Sequence, residues 1–185
     1  MAGKKIFVIT GAAGSGKTTV RNYLTAKFGM TKVITHTTRQ PRGKEQNGVD
    51  YYFETRSTFA ANHFLESVEY DGNLYGSSYE GLERAWDKSD DICIVLDTAG
   101  AITYQEKLGA QVVVIFLKAP SPELLLKRMT LRGDDTSKIM QRVKSHEYRR
   151  DLELPVGLKG KAHIIENSDL EKTQRLVDDI VENYR

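Results

Sequence analysis

The most specific chemistry in this sequence lies in the run Gly11-Ala12-Ala13-Gly14-Ser15-Gly16-Lys17-Thr18. It fits G-x-x-x-x-G-K-[ST] at every fixed position, with an apolar stretch before it and a helical pattern after it. Glycines let main-chain N–H groups turn inward around phosphate oxygens with no Cβ in the way. The helix that follows adds the positive end of its dipole. Lys17 is then placed to reach the β- and γ-phosphates of a nucleoside triphosphate, and the Thr18 hydroxyl to ligate Mg2+. Thr19 suits first-turn packing or a local backbone hydrogen bond. GTPase switches, ATPase motors and small-molecule kinases all share such a loop, so by itself it implies nucleotide binding and no more.

A second cluster, Thr35-His36-Thr37-Thr38-Arg39-Gln40-Pro41-Arg42, sets two arginines three residues apart among hydroxyls, and Tyr51 follows. Two guanidinium forks and a phenol suit a phosphate monoester dianion, because arginine pairs bidentately with phosphate oxygens. The same cluster also reads as an exposed basic loop. A third set, Arg128, Arg132 and Arg142, falls in a stretch, 118–150, with nine Lys/Arg against four Asp/Glu. By contrast 33–86 carries five Lys/Arg against eight Asp/Glu. Asp97 ends the strand-like run Ile92–Leu96, where a carboxylate could orient Mg2+ or contact an acceptor nucleotide. The four histidines show no metal-ligand spacing. Cys93 and Trp86 read as packing residues.

The elements that must carry these groups follow a strand–helix rhythm. Lys5–Thr10 is a short apolar strand, and Lys17–Phe28 a helix with Val20, Leu24 and Phe28 on one face and Gly29 at its end. Ile92–Leu96 and Val112–Leu117 are continuous apolar runs of the kind buried on both faces of a parallel sheet. Pro120-Ser121-Pro122 opens a helix through Met129, with Ser121 as N-cap. Ser137 to about Leu152 reads as one polar helix, His163–Asn167 as a last strand, and Asp169–Tyr184 as a last amphipathic helix. Between the first helix and Ile92 the rhythm breaks into a β-rich insertion, with strand-like pieces at Tyr51–Phe53 and Phe64–Val68.

With 185 residues, 39% hydrophobic and 28% charged, the chain suits one domain with a core of its own and excludes a disordered tail or a fibre. The 27 Lys/Arg nearly balance 25 Asp/Glu, which gives no reason to expect a nucleic-acid or anionic-membrane binder. One cysteine implies a reducing, cytoplasmic setting. No apolar run nears the roughly 20 residues of a membrane span, and the N-terminus lacks the features of a signal peptide.

In order and approximate spacing the pieces resemble the guanylate kinase family, from Ile6 to about Ile180. The resemblance rests on the phosphate loop, on TTRQPR followed by NGVDYYF, on FLE, NLYGSS, the Arg128/Arg132-Gly133 pattern and ENSDLEK. It implies an α/β fold: a P-loop three-layer core with a parallel sheet, a β-rich GMP-binding insertion and a helical lid. One domain would divide into core (1–32, 87–117 and 151–185), acceptor-binding insertion (33–86) and lid region (118–150). The implied reaction passes the γ-phosphoryl group of ATP to GMP or dGMP with Mg2+, in a monomer or a homo-oligomer. Residues Gly11 to Thr19 and Asn167 would hold ATP. Arg39, Arg42, Tyr51 and Tyr75 would hold the GMP phosphate. Glu66 would accept from guanine N1–H and the 2-amino group, and Thr35 and Ser77 would meet the other base edge. A carboxylate offers two acceptors to two adjacent donors, a pair that adenine lacks. Lys17, Arg128, Arg132 and Arg142 would carry the transfer step. Taken singly, these tyrosines also suit packing, Glu66 a solvent-facing strand, and Asn167 a turn.

The chain departs from the family at D-x-D followed by Gln-Gly: it reads Asp97-Thr98-Ala99-Gly100, with the second carboxylate missing at Ala99. Two other readings accompany the kinase. One is a phosphopeptide-binding module like the guanylate-kinase-like domains of scaffolds, whose phosphate loop is degraded whereas this one is intact. The other is a small-molecule kinase with a different phosphorylated acceptor, against which Glu66 argues.

Overall fold

The computed structural model describes residues 3–41, 43–70, 72–119, 121–131 and 133–185. Arg42 and Arg132, both expected at the site, lie outside the described residues.

The chain begins β1 (Lys5–Thr10), α1 (Lys17–Phe28), β2 (Thr31–Lys32), β3 (His36–Thr37), β4 (Tyr52–Phe53), α2 (Arg56–Ala60), β5 (Phe64–Tyr70) and β6 (Asn73–Ser78). It continues α3 (Tyr79–Trp86), β7 (Asp91–Val95), α4 (Thr98–Leu108), β8 (Val112–Lys118), α5 (Pro122–Leu131), α6 (Thr136–Lys144), α7 (His146–Asp151), β9 (Ala162–Glu166) and α8 (Leu170–Tyr184).

Five strands form a parallel sheet in the order β2-β7-β1-β8-β9. β1 lies at its centre, which explains its apolar composition: side chains alternate between two covered faces, so both sets must be apolar. Ile6 and Val8 pack with Ile92, Ile94 and Val114 against Leu82 of α3 and Ala101 and Tyr104 of α4. On the other face Phe7, Ile9, Cys93 and Ile115 pack against Val20 and Leu24 of α1 and Val177 and Val181 of α8. This is the expected three-layer core, and Cys93 is a core residue.

The order β7-β1-β8 brings the ends of the three central strands together. At that edge stand the loop 11–16 after β1, Asp97 after β7 and the approach to α5 after β8, so one edge of the sheet collects the candidate chemistry. A second, mixed sheet, β4-β3-β6-β5, holds the acceptor cluster. Helices α5 to α7 share a separate cluster in which Leu125, Met129, Ile139 and Tyr148 pack on Ala12 of the phosphate loop.

Three expectations need correction. The helix expected over 137–152 is two helices. Ser145 adopts extended backbone at ψ 152° and its hydroxyl caps α7 by accepting from Tyr148 N at 3.2 Å. The insertion contains β6, a strand of Asn, Gly and Ser as well as Leu and Tyr, and the helices α2 and α3. Asp97 lies two residues past the end of β7, at the N-cap of α4, where its Oδ1 accepts from Gly100 N at 2.7 Å.

Candidate functional site

Two cavities open at this edge of the sheet. One, of about 660 Å3, is lined by the phosphate loop, including Gly14, Gly16, Lys17, Thr18 and Thr19, with Arg128 and Asn167. The other, of about 480 Å3, lies between the two sheets and is lined by Thr35, Arg39, Tyr51, Glu66, Tyr75 and Asp97. Ala13, Lys17 and Arg142 line both. The two spaces therefore meet at a primary ammonium and a guanidinium.

Besides the apolar packing on Ala12, the side chain of Asn167 ties the loop down by hydrogen bonds. Asn167 Nδ2 donates to Ser15 O at 2.8 Å, and Asn167 Oδ1 accepts from Thr173 Oγ1 at 2.8 Å. Its main-chain N–H donates to Lys118 O at 2.8 Å. Asn167 thus ties the end of β9 to β8, α8 and the loop. Gly16 has φ 102°, and a Cβ there would fall 2.3 Å from Asn167 Nδ2, so this position needs glycine twice over. Asn167→Ala leaves the Ser15 carbonyl and Thr173 hydroxyl unpaired in a buried place. It is expected to cost about 1–3 kcal/mol of stability, or about 2–4 °C of Tm for each kcal/mol in a chain of this size. Thermal denaturation checks this, and an unchanged Tm would contradict the clamp.

Within the loop Lys17 Nζ donates to Gly11 O at 2.5 Å and Ala12 O at 2.9 Å. Arg128 Nη2 donates to Asn167 O at 2.7 Å, while its Nη1 is buried without a partner among the described residues. One half of that guanidinium is anchored and the other, though buried, carries unused donor capacity in a residue that lines the larger cavity. Arg142, on α6, lies 3.7 Å from Asp134.

In the smaller cavity Arg39 is buried and gives its fork to Glu45, with Nη1 and Nη2 each 3.0 Å from a carboxylate oxygen. The Tyr51 ring lies beside it, 5.4 Å from the guanidinium carbon. The β5–β6 ladder shifts register between Phe64 and Glu66, which sends Leu65 into the core and leaves Glu66 on the cavity wall. Burial pushes the Glu66 carboxyl up to about 6, against hydrogen bonding by Ser77. Ser77 Oγ donates to Glu66 Oε1 at 2.8 Å. Ser77 is fully buried. Both Asp97 oxygens are occupied: Oδ1 by Gly100 N and Oδ2 by Arg150 Nη2 at 2.7 Å. Ala99 is exposed on the first turn of α4, whereas Val95 lines the cavity.

Three partnerships were not readable from sequence: Glu45 with Arg39, Arg150 with Asp97, and Tyr104 with Ser77. The last two join residues far apart in sequence, whose meeting depends on tertiary structure. Glu45 lies only six residues after Arg39, and an acidic residue so soon after the arginine pair is the signal that could have found it.

The family model for guanylate kinase matches residues 3–184. The chain belongs to the guanylate kinase family. The guanylate kinase of Nitrosomonas europaea is 35% identical over 192 aligned positions, covering 97% of this chain and 90% of that one. That of Neisseria gonorrhoeae is 36% identical, covering 91% and 82%. Among solved structures, the guanylate kinase of Anaplasma phagocytophilum superposes with a TM-score of 0.66 at 27% identity, covering 99% of this chain and 87% of that one. Guanylate kinase relatives thus extend over both sheets and the helical segment α5–α7. No helix among the described residues is long and apolar enough to cross a membrane.

Proposed function

We propose that this chain transfers the γ-phosphoryl group of ATP to GMP, and to dGMP, with ATP in the 660 Å3 cavity and the acceptor in the 480 Å3 cavity. The observation that carries this reading is the junction: Ala13, Lys17 and Arg142 belong to both spaces, where two phosphates would meet head to head.

On the donor side, the amides of 11–16 and the start of α1 cradle the triphosphate, and Lys17 exchanges its carbonyl partners for phosphate oxygens. Thr18 is exposed at the wall of this cavity. One hydroxyl suits a hard cation that takes its other ligands from phosphate and water, so Thr18 is the residue that would hold Mg2+. When bound, Mg2+ neutralises charge developing on the phosphates. Asn167 keeps the loop in shape, with Thr19 beside it.

On the acceptor side, Arg39 shares its fork between Glu45 and the incoming phosphate, with Arg42, Tyr51 and Tyr75 as further donors. Glu66 accepts from the guanine N1–H and 2-amino group, Thr35 meets the opposite edge, and Ser77 acts through Glu66. Asp97 bounds the pocket through its bond to Arg150. The attacking group is an ionised phosphate oxygen, so no general base is needed. Lys17, Arg128, Arg142 and Arg132 supply positive charge to the equatorial oxygens of the transferring group. Closure of α5–α7 would expel water and limit ATP hydrolysis.

A coupled ADP-release assay across GMP, dGMP, AMP, CMP and UMP tests the reading. Turnover with the guanine nucleotides well above the others is expected; no turnover with either would overturn it.

Glu66 also sets a pH dependence. Below about pH 6 its carboxyl is protonated and loses acceptor capacity, so KM for GMP should rise as pH falls through 6. Phosphate monoesters titrate near pH ~6 as well, so the profile is compared with that of Glu66→Gln, which should lack the Glu66 component. Linkage has the opposite sense for folding. The folded pKa of about 6 exceeds the ordinary 4.5, so the folded state holds the proton more tightly. This contribution to stability is full below pH 4.5 and is lost as pH rises through 6.

A further inference from the structure

Tyr104 lies on α4, remote in sequence from the acceptor segment, and is fully buried against the central sheet. Its hydroxyl is 2.8 Å from Ser77 Oγ, which is itself 2.8 Å from Glu66 Oε1. We infer that Tyr104 is a positioning residue for acceptor selectivity, holding the Glu66 carboxylate in its base-reading orientation through Ser77. The inference rests on the assignment of Glu66 to the guanine edge.

The proton inventory fixes the direction of this chain of hydrogen bonds. An ionised carboxylate only accepts, so Ser77 must donate its single proton to Glu66. The serine oxygen is then the acceptor toward Tyr104, whose hydroxyl must be the donor. Burial pushes the Tyr104 phenol far above its ordinary range, so it stays a donor across the working pH range. With both ends engaged, the Ser77 hydroxyl has no freedom to rotate. Glu66 Oε1 is held at a fixed point, and Oε2 with the remaining lone pair of Oε1 is presented to a ligand bearing two adjacent N–H donors.

Packing alone would be served by phenylalanine. A phenol hydroxyl at this depth is costly unless paired, and its partner is the serine that holds Glu66. Lys107 approaches from the same helix, its Nζ donating to Leu65 O at 2.7 Å. Helix α4 therefore braces the bulge behind Glu66 at two points.

The test is Tyr104→Phe in the full chain, which removes only the hydroxyl. KM for GMP should rise about 3–10-fold, the equivalent of one net hydrogen bond, with kcat and the KM for ATP little changed. The ratio of kcat/KM for GMP over IMP, which lacks the 2-amino group, should fall. The acid-side midpoint of the kcat/KM profile for GMP should move upward, because a loosened Ser77 bond no longer favours the carboxylate as strongly. Added to Ser77→Ala, Tyr104→Phe should change KM for GMP no further, since it acts through that serine.

A lower Tm with wild-type KM, GMP-over-IMP ratio and midpoint would overturn the inference, leaving Tyr104 a core residue. Additive effects in the double variant would overturn it too. Glu66→Gln separates the two levels. Lost guanine selectivity there without loss in Tyr104→Phe sinks the relay alone. Unchanged selectivity in Glu66→Gln sinks the base-site assignment and the relay together.

Discussion

Lys17→Met is expected to lower kcat for phosphoryl transfer by about 10^3-fold or more while the protein stays folded. Lys17 is the one residue of the α1 face that lines both cavities. Its ammonium already sits inside the loop, 2.5 Å from Gly11 O and 2.9 Å from Ala12 O. Methionine keeps the length of the stem and removes the charge. A positive group supplied to the transferring phosphoryl is worth roughly 10^3–10^5-fold in related chemistry. The ordering β7-β1-β8 and the buried face of α1, Val20 and Leu24, do not depend on the ammonium. Steady-state ADP release and a thermal melt on the same preparation check both halves. A loss of less than about tenfold at unchanged Tm would remove Lys17 from the reacting phosphates.

The second large effect belongs to Glu66→Gln. An amide offers one acceptor and sets an N–H donor against the guanine donors, so two buried hydrogen bonds are lost or opposed. At about 1–3 kcal/mol for each unpaired group, kcat/KM for GMP should fall by about 10^2-fold or more, with that for AMP nearly unchanged. Sites built to bond a particular polar group discriminate by up to about 10^4–10^5-fold, so much of the guanine preference is at stake. The variant should not be less stable at neutral pH. It relieves the burial of a carboxylate whose pKa is raised to about 6. A substrate profile identical to wild type would contradict the assignment.

How much of this was legible in the sequence depended on whether a residue's role was local. The loop 11–18 and both ends of α1 are local: apolar spacing, a Gly-rich turn and Gly29 at φ 68° are written in consecutive residues. The strands β1, β7 and β8 were visible as unbroken apolar runs because both faces of the sheet are covered. Helix α4 shows no sequence signal because its buried face is Thr98, Gly100, Ala101 and Tyr104, types that do not read as an apolar stripe. The two-residue strands β2, β3 and β4 are too short to show a period. The break at Ser145 was hidden because the residues on either side are polar and helix-compatible, and only the cap geometry reveals it.

Within the site the same division holds. Arg39, Tyr51, Glu66 and Tyr75 were reachable because the order of short motifs carries them, and the structure gathers all four around one cavity. The groups that hold them were not reachable. Arg150 meets Asp97 across 53 residues and Tyr104 meets Ser77 across 27, distances over which no sequence pattern speaks.

The most direct measurement is a crystal structure of the protein with a non-hydrolysable ATP analogue and GMP bound together. The triphosphate is expected along the loop 11–18 and the GMP phosphate on Arg39. The guanine should lie against Glu66, and the two reacting groups should face each other beside Lys17 and Arg142. Either nucleotide bound outside its cavity, or a guanine turned away from Glu66, would contradict it.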